Sequence, residues 1–189
     1  MPILSNEVAL YPSGLLDDPT GEEAPAGEDD RIWSAVYTKS RQEKAVAREL
    51  LTRETPFFLP LIPKNQVIRG RRFRSYLPLF SGYLFQYGSI EQNLETQSSR
   101  RVSCLFPVPD SRKLRCDLAC LQRLIDSKTP LSQESRLSPG DQVRIKNGSL
   151  KGLEGTIIRR ENMTRLLIAV TYLQQGVSIQ IDDFMVEPL

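Results

Sequence analysis

Apolar residues recur along the chain in two rhythms, and the change of rhythm marks its organisation. The middle section mixes short apolar runs with stretches of helical period. Ile32–Thr38 (IWSAVYT) has the β-branched and aromatic character of a buried strand. Ser40-x-x-Glu43 then predicts a capping box, followed by Val46, Ala47, Leu50 and Leu51 on one helical face. That helix stops before Pro56, because proline disfavours helical geometry in the residue ahead of it. Phe57–Ile68 is apolar but holds Pro60 and Pro63, which fits an edge or bulged strand. Lys64–Arg74 reads as a hairpin tip turning at Gly70, and Tyr76–Tyr87 as a strongly apolar strand. A short polar helix over Ile90–Ser99, a strand over Val102–Val108 and a helix capped by Asp117 complete the section. Leu118, Leu121, Leu124 and Ile125 form the inner face of that last helix, which ends near Thr129-Pro130. The order β-α-β-β-α-β-α predicts an α+β sandwich, a sheet covered by helices.

Ser127–Ser138 (SKTPLSQESRLS) is polar and aperiodic, and residues 130–138 are read as a linker. From Pro139 the rhythm becomes period two. Val143 and Ile145 alternate with Gln142, Arg144 and Lys146, and Asn147-Gly148 signals a turn. Thr156–Ile158, Leu166–Tyr172, Val177–Ile181 and Phe184–Val186 supply further strands. So many short strands predict a small all-β barrel, closed to remove its edges. Gly148, Gly152 and Gly155 cluster between the first two strands, where glycine permits positive φ and close backbone approach.

Charge sharpens the division. The net charge of +2 is a sum of unlike parts. Residues 1–30 hold eight acids and no base; residues 31–130 hold 18 bases and 8 acids; residues 131–189 hold 7 of each. The acidic, Pro- and Gly-rich start lacks the apolar surface to offset its ordering entropy, so residues 1–30 read as a disordered leader, although Val8–Tyr11 could dock. A basic middle section implies an anionic partner.

The chemistry available is narrow. There is no histidine, which excludes imidazole bases, His-metal sites and Ser-His-Asp triads. Cys104, Cys116 and Cys120 form no CxxC pair and read as reduced thiols of a cytoplasmic protein. No apolar run approaches the roughly 20 residues of a membrane span, and the N-terminus lacks the pattern of a secretory signal. The chain reads as a monomeric non-enzyme without metal or cofactor.

Three motifs carry a resemblance. VRIKNGSLKGLEGTIIRR (143–160) resembles a KOW motif, an apolar strand, a Gly-rich loop and a second apolar strand. IWSAVYTKSRQEKAVARELL (32–51) and LPLFSGYLF (77–85) resemble the first strand, first helix and Phe-Pro-Gly-Tyr strand of the NusG N-terminal (NGN) domain. Ser81 stands where that element usually has proline, and VSCLFPVPD after Arg101 lacks the glycines of housekeeping members. These departures, with VTYLQQGVSIQIDDF (170–184), resemble the RfaH-like, operon-specific antiterminators. The resemblance implies an acidic leader (1–30), an NGN domain (31–129), a linker (130–138) and an SH3-like KOW barrel (139–189).

It also implies partners. NusG-family NGN domains bind the clamp helices of RNA polymerase through an apolar patch. The match falls on Phe80 and Tyr83, with Leu105 and Phe106 on a neighbouring strand. A regular strand would put Phe80 and Tyr83 on opposite faces, one of them in the core. Trp33 is either core or patch. Lys64, Arg69, Arg71, Arg72, Phe73 and Arg74 would face non-template or upstream DNA. Lys39 and Arg41, with Lys44, form a second DNA surface or simply solvated helix charges. In the KOW section, Tyr172 and Leu173 match the tip that recruits a small-subunit ribosomal protein or the termination factor Rho; they would also fit barrel core. The expected activity is antitermination on a specific operon. The rivals are a general elongation and termination factor, and an RNA-binding ribosome-associated protein. The neutral charge of residues 131–189 speaks against the last.

Overall fold

The computed structural model describes residues 7–17, 30–68, 71–134, 140–148, 150–160, 163–181 and 186–189. The chain gathers into two compact units, Met1–Ser111 and Arg112–Leu189. The architecture is the expected α+β unit followed by a β-rich one.

The first unit is built on a five-stranded sheet in the order β1-β3-β6-β2-β7. Its strands are β1 (Leu10–Tyr11), β2 (Ile32–Thr38), β3 (Phe57–Phe58), β6 (Tyr83–Gly88) and β7 (Val102–Pro107). Every pairing is antiparallel. Helix α1 (Glu43–Thr52) buries Val46, Ala47 and Leu50 with Val36, Leu84, Phe57 and Leu59, which places the main core on one face of the sheet. Burying such aliphatic and aromatic side chains contributes about 1.5–3 kcal/mol each. Helix α2 (Ile90–Gln97) starts in a capping box, Ser89 Oγ accepting from Gln92 N and Gln92 Oε1 from Ser89 N.

Several expectations change at the turns. Helix α1 begins at Glu43, not Ser40. Its N-cap, Gln42, makes no side-chain cap bond: its Oε1 accepts from Arg101, and the Glu43 carboxylate is bound to Gly82 N. The apolar run after Pro56 divides into β3, within the main sheet, and β4 (Leu61–Ile68). β4 pairs with β5 (Arg71–Pro78) as a separate two-stranded ladder. The strand expected over 76–87 is likewise cut by a turn at Gly82, whose φ of +83° glycine adopts without a Cβ penalty.

The acidic leader is ordered over residues 7–17. Leu10 and Tyr11 pair with Phe58 and Phe57, Tyr11 stacks on Phe57 at 6.5 Å, and Leu16 is buried. Arg48 of α1 donates to Glu7 at 2.7 Å. The apolar residues of Val8–Tyr11 win against the composition around them. The rest of the leader lies outside the described residues.

The second unit contains α3 (Ser111–Asp126) from Arg112 onward and a six-stranded sheet, β13-β9-β10-β11-β12-β8. These strands are β8 (Ser132–Glu134), β9 (Gln142–Ile145), β10 (Glu154–Arg160), β11 (Met163–Val170), β12 (Gln175–Gln180) and β13 (Val186–Pro188). The helix starts at Ser111, so Asp117 sits inside it and is not its cap. Part of the expected linker forms β8, antiparallel to β12. No helix among the described residues is long and apolar enough to cross a membrane.

Candidate protein- and nucleic-acid-binding surfaces

The five-stranded sheet sets out an aromatic row by register alone. Tyr37 on β2 lies opposite Tyr83 on β6 and opposite Cys104 on β7. Two positions back, Ala35 lies opposite Phe85 and Phe106, and Trp33 opposite Tyr87. Alternation puts these residues on one face, away from the Val36–Leu84 face that meets α1. Towards the β2 C-terminus this face opens: Tyr37 is 41% and Phe106 40% exposed, and Tyr83 is half-buried. The Tyr37 and Tyr83 rings lie 4.9 Å apart at 38°. Exposed aromatics grouped this way are a feature of protein-binding hot spots.

The candidates for this patch divide. Tyr83 and Phe106 are on it. Phe80 is fully buried, its ring edge-on to Phe85 at 6.4 Å, and Trp33 is 2% exposed against Tyr87. Neither offers a partner any surface here, so both are core residues and leave the docking set. Leu105 pairs with Val36 and packs on the α1-side core, the opposite face. Tyr37 is the residue that sequence reasoning missed. The signal was available, since Trp33, Ala35 and Tyr37 alternate onto one face of IWSAVYT.

The turn preceding β6 is held from both sides. Gly82 N donates to the buried Glu43 Oε1 at 2.7 Å, and Thr38 N donates to Gly82 O at 2.8 Å. A Cβ on Gly82 would stand 2.9 Å from Tyr37 Cε2. Position 82 therefore excludes side chains twice, by φ and by the ring laid against it.

The basic residues lie on two substructures. β4 and β5 pair from Leu61↔Pro78 to Ile68↔Arg71, with Arg72 opposite Val67 and Arg74 opposite Asn65. Lys64 is exposed. Arg69 lies outside the described residues. The second substructure joins two turns. Lys39 N donates to Arg101 O at 2.8 Å, and Lys39, Arg41 and Arg100 are exposed. Arg101 itself is engaged, donating to Glu49 Oε1 at 2.6 Å and Gln42 Oε1 at 3.1 Å. Burial opposes the charge on Glu49, but the hydrogen bonds from Ser99 and Arg101 and the Arg101 charge outweigh it and hold the carboxyl below its ordinary range. Arg100 is a cation that sequence reasoning passed over; it precedes Arg101, the residue that meets Lys39.

In the second unit, the loop between β9 and β10 carries Gly148 at φ +89° and Gly152 at φ +79°. Gly152 N donates to Ile145 O at 2.8 Å, while Leu150 and Leu153 are buried beneath. Gly155 lets β11 approach, since a Cβ there would come within 2.6 Å of Leu167 O. After β11 the chain leaves the strand in a 3-10 turn, Thr171–Leu173, that leaves Tyr172 39% exposed and Leu173 half-buried. Two α3 side chains reach these loops: Asp117 Oδ2 accepts from Thr171 N at 3.0 Å, and Arg123 donates to Lys151 O at 2.8 Å.

Comparison with known proteins gives a family match over part of the chain. Residues 31–105 match the family model described as transcription termination factor nusG. No curated protein matches the chain. Among solved structures, it resembles one of Thermotoga maritima NusG, described as domain interaction in that protein, at 18% identity, with 84% of this chain and 97% of that chain covered and a TM-score of 0.43. It also resembles the MjSpt4:Spt5 complex in conformation B, at 17% identity, with the same shares covered and a TM-score of 0.25.

Proposed function

We propose that the chain is a NusG-family transcription elongation factor whose first unit docks on the clamp helices of RNA polymerase. The observation that carries this reading is the open aromatic row of Tyr37, Tyr83 and Phe106, on strands within or adjoining the stretch matched by the family model. The basic β4–β5 hairpin (Lys64, Arg69, Arg71, Arg72, Phe73, Arg74) and the turns bearing Lys39, Arg41 and Arg100 contact upstream or non-template DNA. Neutralised phosphates give that contact a salt-dependent affinity. The second unit recruits a ribosomal protein or Rho through Tyr172 and Leu173.

The mechanism is a population shift. A domain that bridges the polymerase cleft binds the closed, elongating clamp better than the open, paused one, and shifts the equilibrium by that difference alone. Pausing falls and terminators are passed. The departures at Ser81 and after Arg101 favour action on one operon over a general role.

The test is transcription in vitro by purified bacterial RNA polymerase, on templates carrying a pause and a terminator, with Tyr83→Ala and an Arg71/Arg72/Arg74→Ala triple variant. Read-through by the wild type that both variants lose supports the proposal. Read-through limited to one leader sequence supports the operon-specific role, and an effect on every template the general one. No effect of the wild type on any template overturns polymerase action.

A further inference from the structure

We infer that Glu43 is a positioning residue for the aromatic docking surface, setting Tyr37 and Tyr83 through the backbone of Gly82. The inference rests on the docking role proposed above and adds a residue that never touches the partner. Glu43 is the first residue of α1, a place where a carboxylate ordinarily stays in water and favours the positive end of the helix. Here it is 6% exposed and its Oε1 takes the buried Gly82 N–H at 2.7 Å. Burying a carboxylate is costly unless it is hydrogen-bonded, so the bond must hold the turn firmly to persist.

What the bond holds is specific. Gly82 immediately precedes Tyr83 in a turn closed by Tyr83 N donating to Phe80 O at 3.1 Å. The Gly82 carbonyl accepts from Thr38, the residue after Tyr37. The Ser81–Gly82 peptide is tied by its N–H to α1 and the Gly82–Tyr83 peptide by its C=O to β2, so the backbone on both sides of Gly82 is held, and its bare Cα faces the Tyr37 ring. The Tyr37 ring is thereby bounded by Gly82 on one side and Tyr83 on another. Without the carboxylate, Gly82 N–H would be buried and unpaired. The turn would have to rotate towards water, and the two rings would lose their present tilted contact.

The experiment measures affinity for purified core RNA polymerase, at 10 °C and at protein concentrations where circular dichroism shows each variant folded. Glu43→Ala is expected to weaken binding about tenfold or more, the scale of a lost charged hydrogen bond. Glu43→Gln keeps an oxygen acceptor at the same reach and is expected to restore binding to within about threefold. In a Tyr83→Ala background, Glu43→Ala is expected to cost less than in the wild type, because one of the two rings it sets is already gone. If Glu43→Ala does not fold, Glu43→Asp, which is too short to reach Gly82, is read by the same criteria. Unchanged affinity in the folded variant, or an equal loss in the Tyr83→Ala background, overturns the positioning role. Failure of the wild type to bind polymerase overturns instead the docking proposal on which it rests.

Discussion

The rings of Tyr37 and Tyr83 face each other 4.9 Å apart across β2 and β6, at directly opposed register positions. A cross-strand aromatic pair contributes on the order of 0.2–1 kcal/mol to a sheet, too little to explain leaving such rings open to water. Replacing Tyr37 with alanine should therefore lower stability by about 1 kcal/mol or less and weaken polymerase binding about tenfold. Urea denaturation and a binding titration separate the two effects. A variant that loses only stability would make the pair a structural feature.

The leader should behave as part of the fold. Deleting residues 1–17 removes β1, the Tyr11–Phe57 stack and the buried Leu16. A loss of about 2–4 kcal/mol is expected in urea denaturation, from the burial of two large side chains. Glu7→Gln, which breaks only the exposed ion pair to Arg48, should cost about 0–1 kcal/mol. Equal stabilities for the deletion and the wild type would show that β1 contributes nothing.

Glu49 predicts an acid limb. Its folded pKa is held down by Ser99 and Arg101 against the opposing effect of burial. A carboxylate depressed in the folded state stabilises it above the unfolded pKa, about 4.5, and loses that contribution as pH falls through the lower folded value. Glu49→Gln should therefore show a shallower fall in stability below about pH 4.5 than the wild type. Because the pair is partly exposed, the difference should be about 1 kcal/mol or less and shrink in high salt. Denaturant midpoints from pH 7 down to pH 3 provide the check.

The hairpin should be read through salt. For duplex DNA, the slope of log affinity against log salt should become shallower by about 2 to 3 when Arg71, Arg72 and Arg74 are all alanine. Arg100→Ala should make it shallower by about 1. Slopes equal to the wild type's would remove these residues from the DNA-binding surface.

Cys120 should be a slow thiol. Its partial burial on α3 pushes its pKa up, with Asp117, Cys116 and Glu154 adding to the rise and Arg123 opposing it. At pH 8 its alkylation by iodoacetamide, followed by mass spectrometry, should lag well behind that of free cysteine, since the thiolate is the reactive form. A rate equal to free cysteine would mean that the α3 environment is open.

Much of this architecture is legible in residue order, and the misses share a cause. The β2 strand, the inner face of α1 and the Asn147-Gly148 turn follow from periodicity and turn chemistry, which act between near neighbours. Ser40-x-x-Glu43 looked like a capping box because its spacing suits one. A bond to Gly82, far along the chain, took the carboxylate instead. Asp117 looked like a cap and is a mid-helix acceptor for Thr171 N–H. Phe80 looked like a docking residue because it stands in a motif, and a turn at Gly82 sent it into the core.

The sequence by itself determined the two units' characters, the basic middle section, the absence of imidazole chemistry and the glycines that the Gly-rich loop requires. Those properties are local or compositional, and no packing can alter them. Only the tertiary structure decided which aromatics are open. Strand alternation assigns a face, but which face is covered, and how far along it, depends on where α1 and the turns settle. Likewise only the fold gave the acidic leader an ordered strand, joined Lys39 to Arg101 and brought Glu43 to Gly82. Each of these depends on contacts between residues distant in sequence, which no short-range pattern encodes.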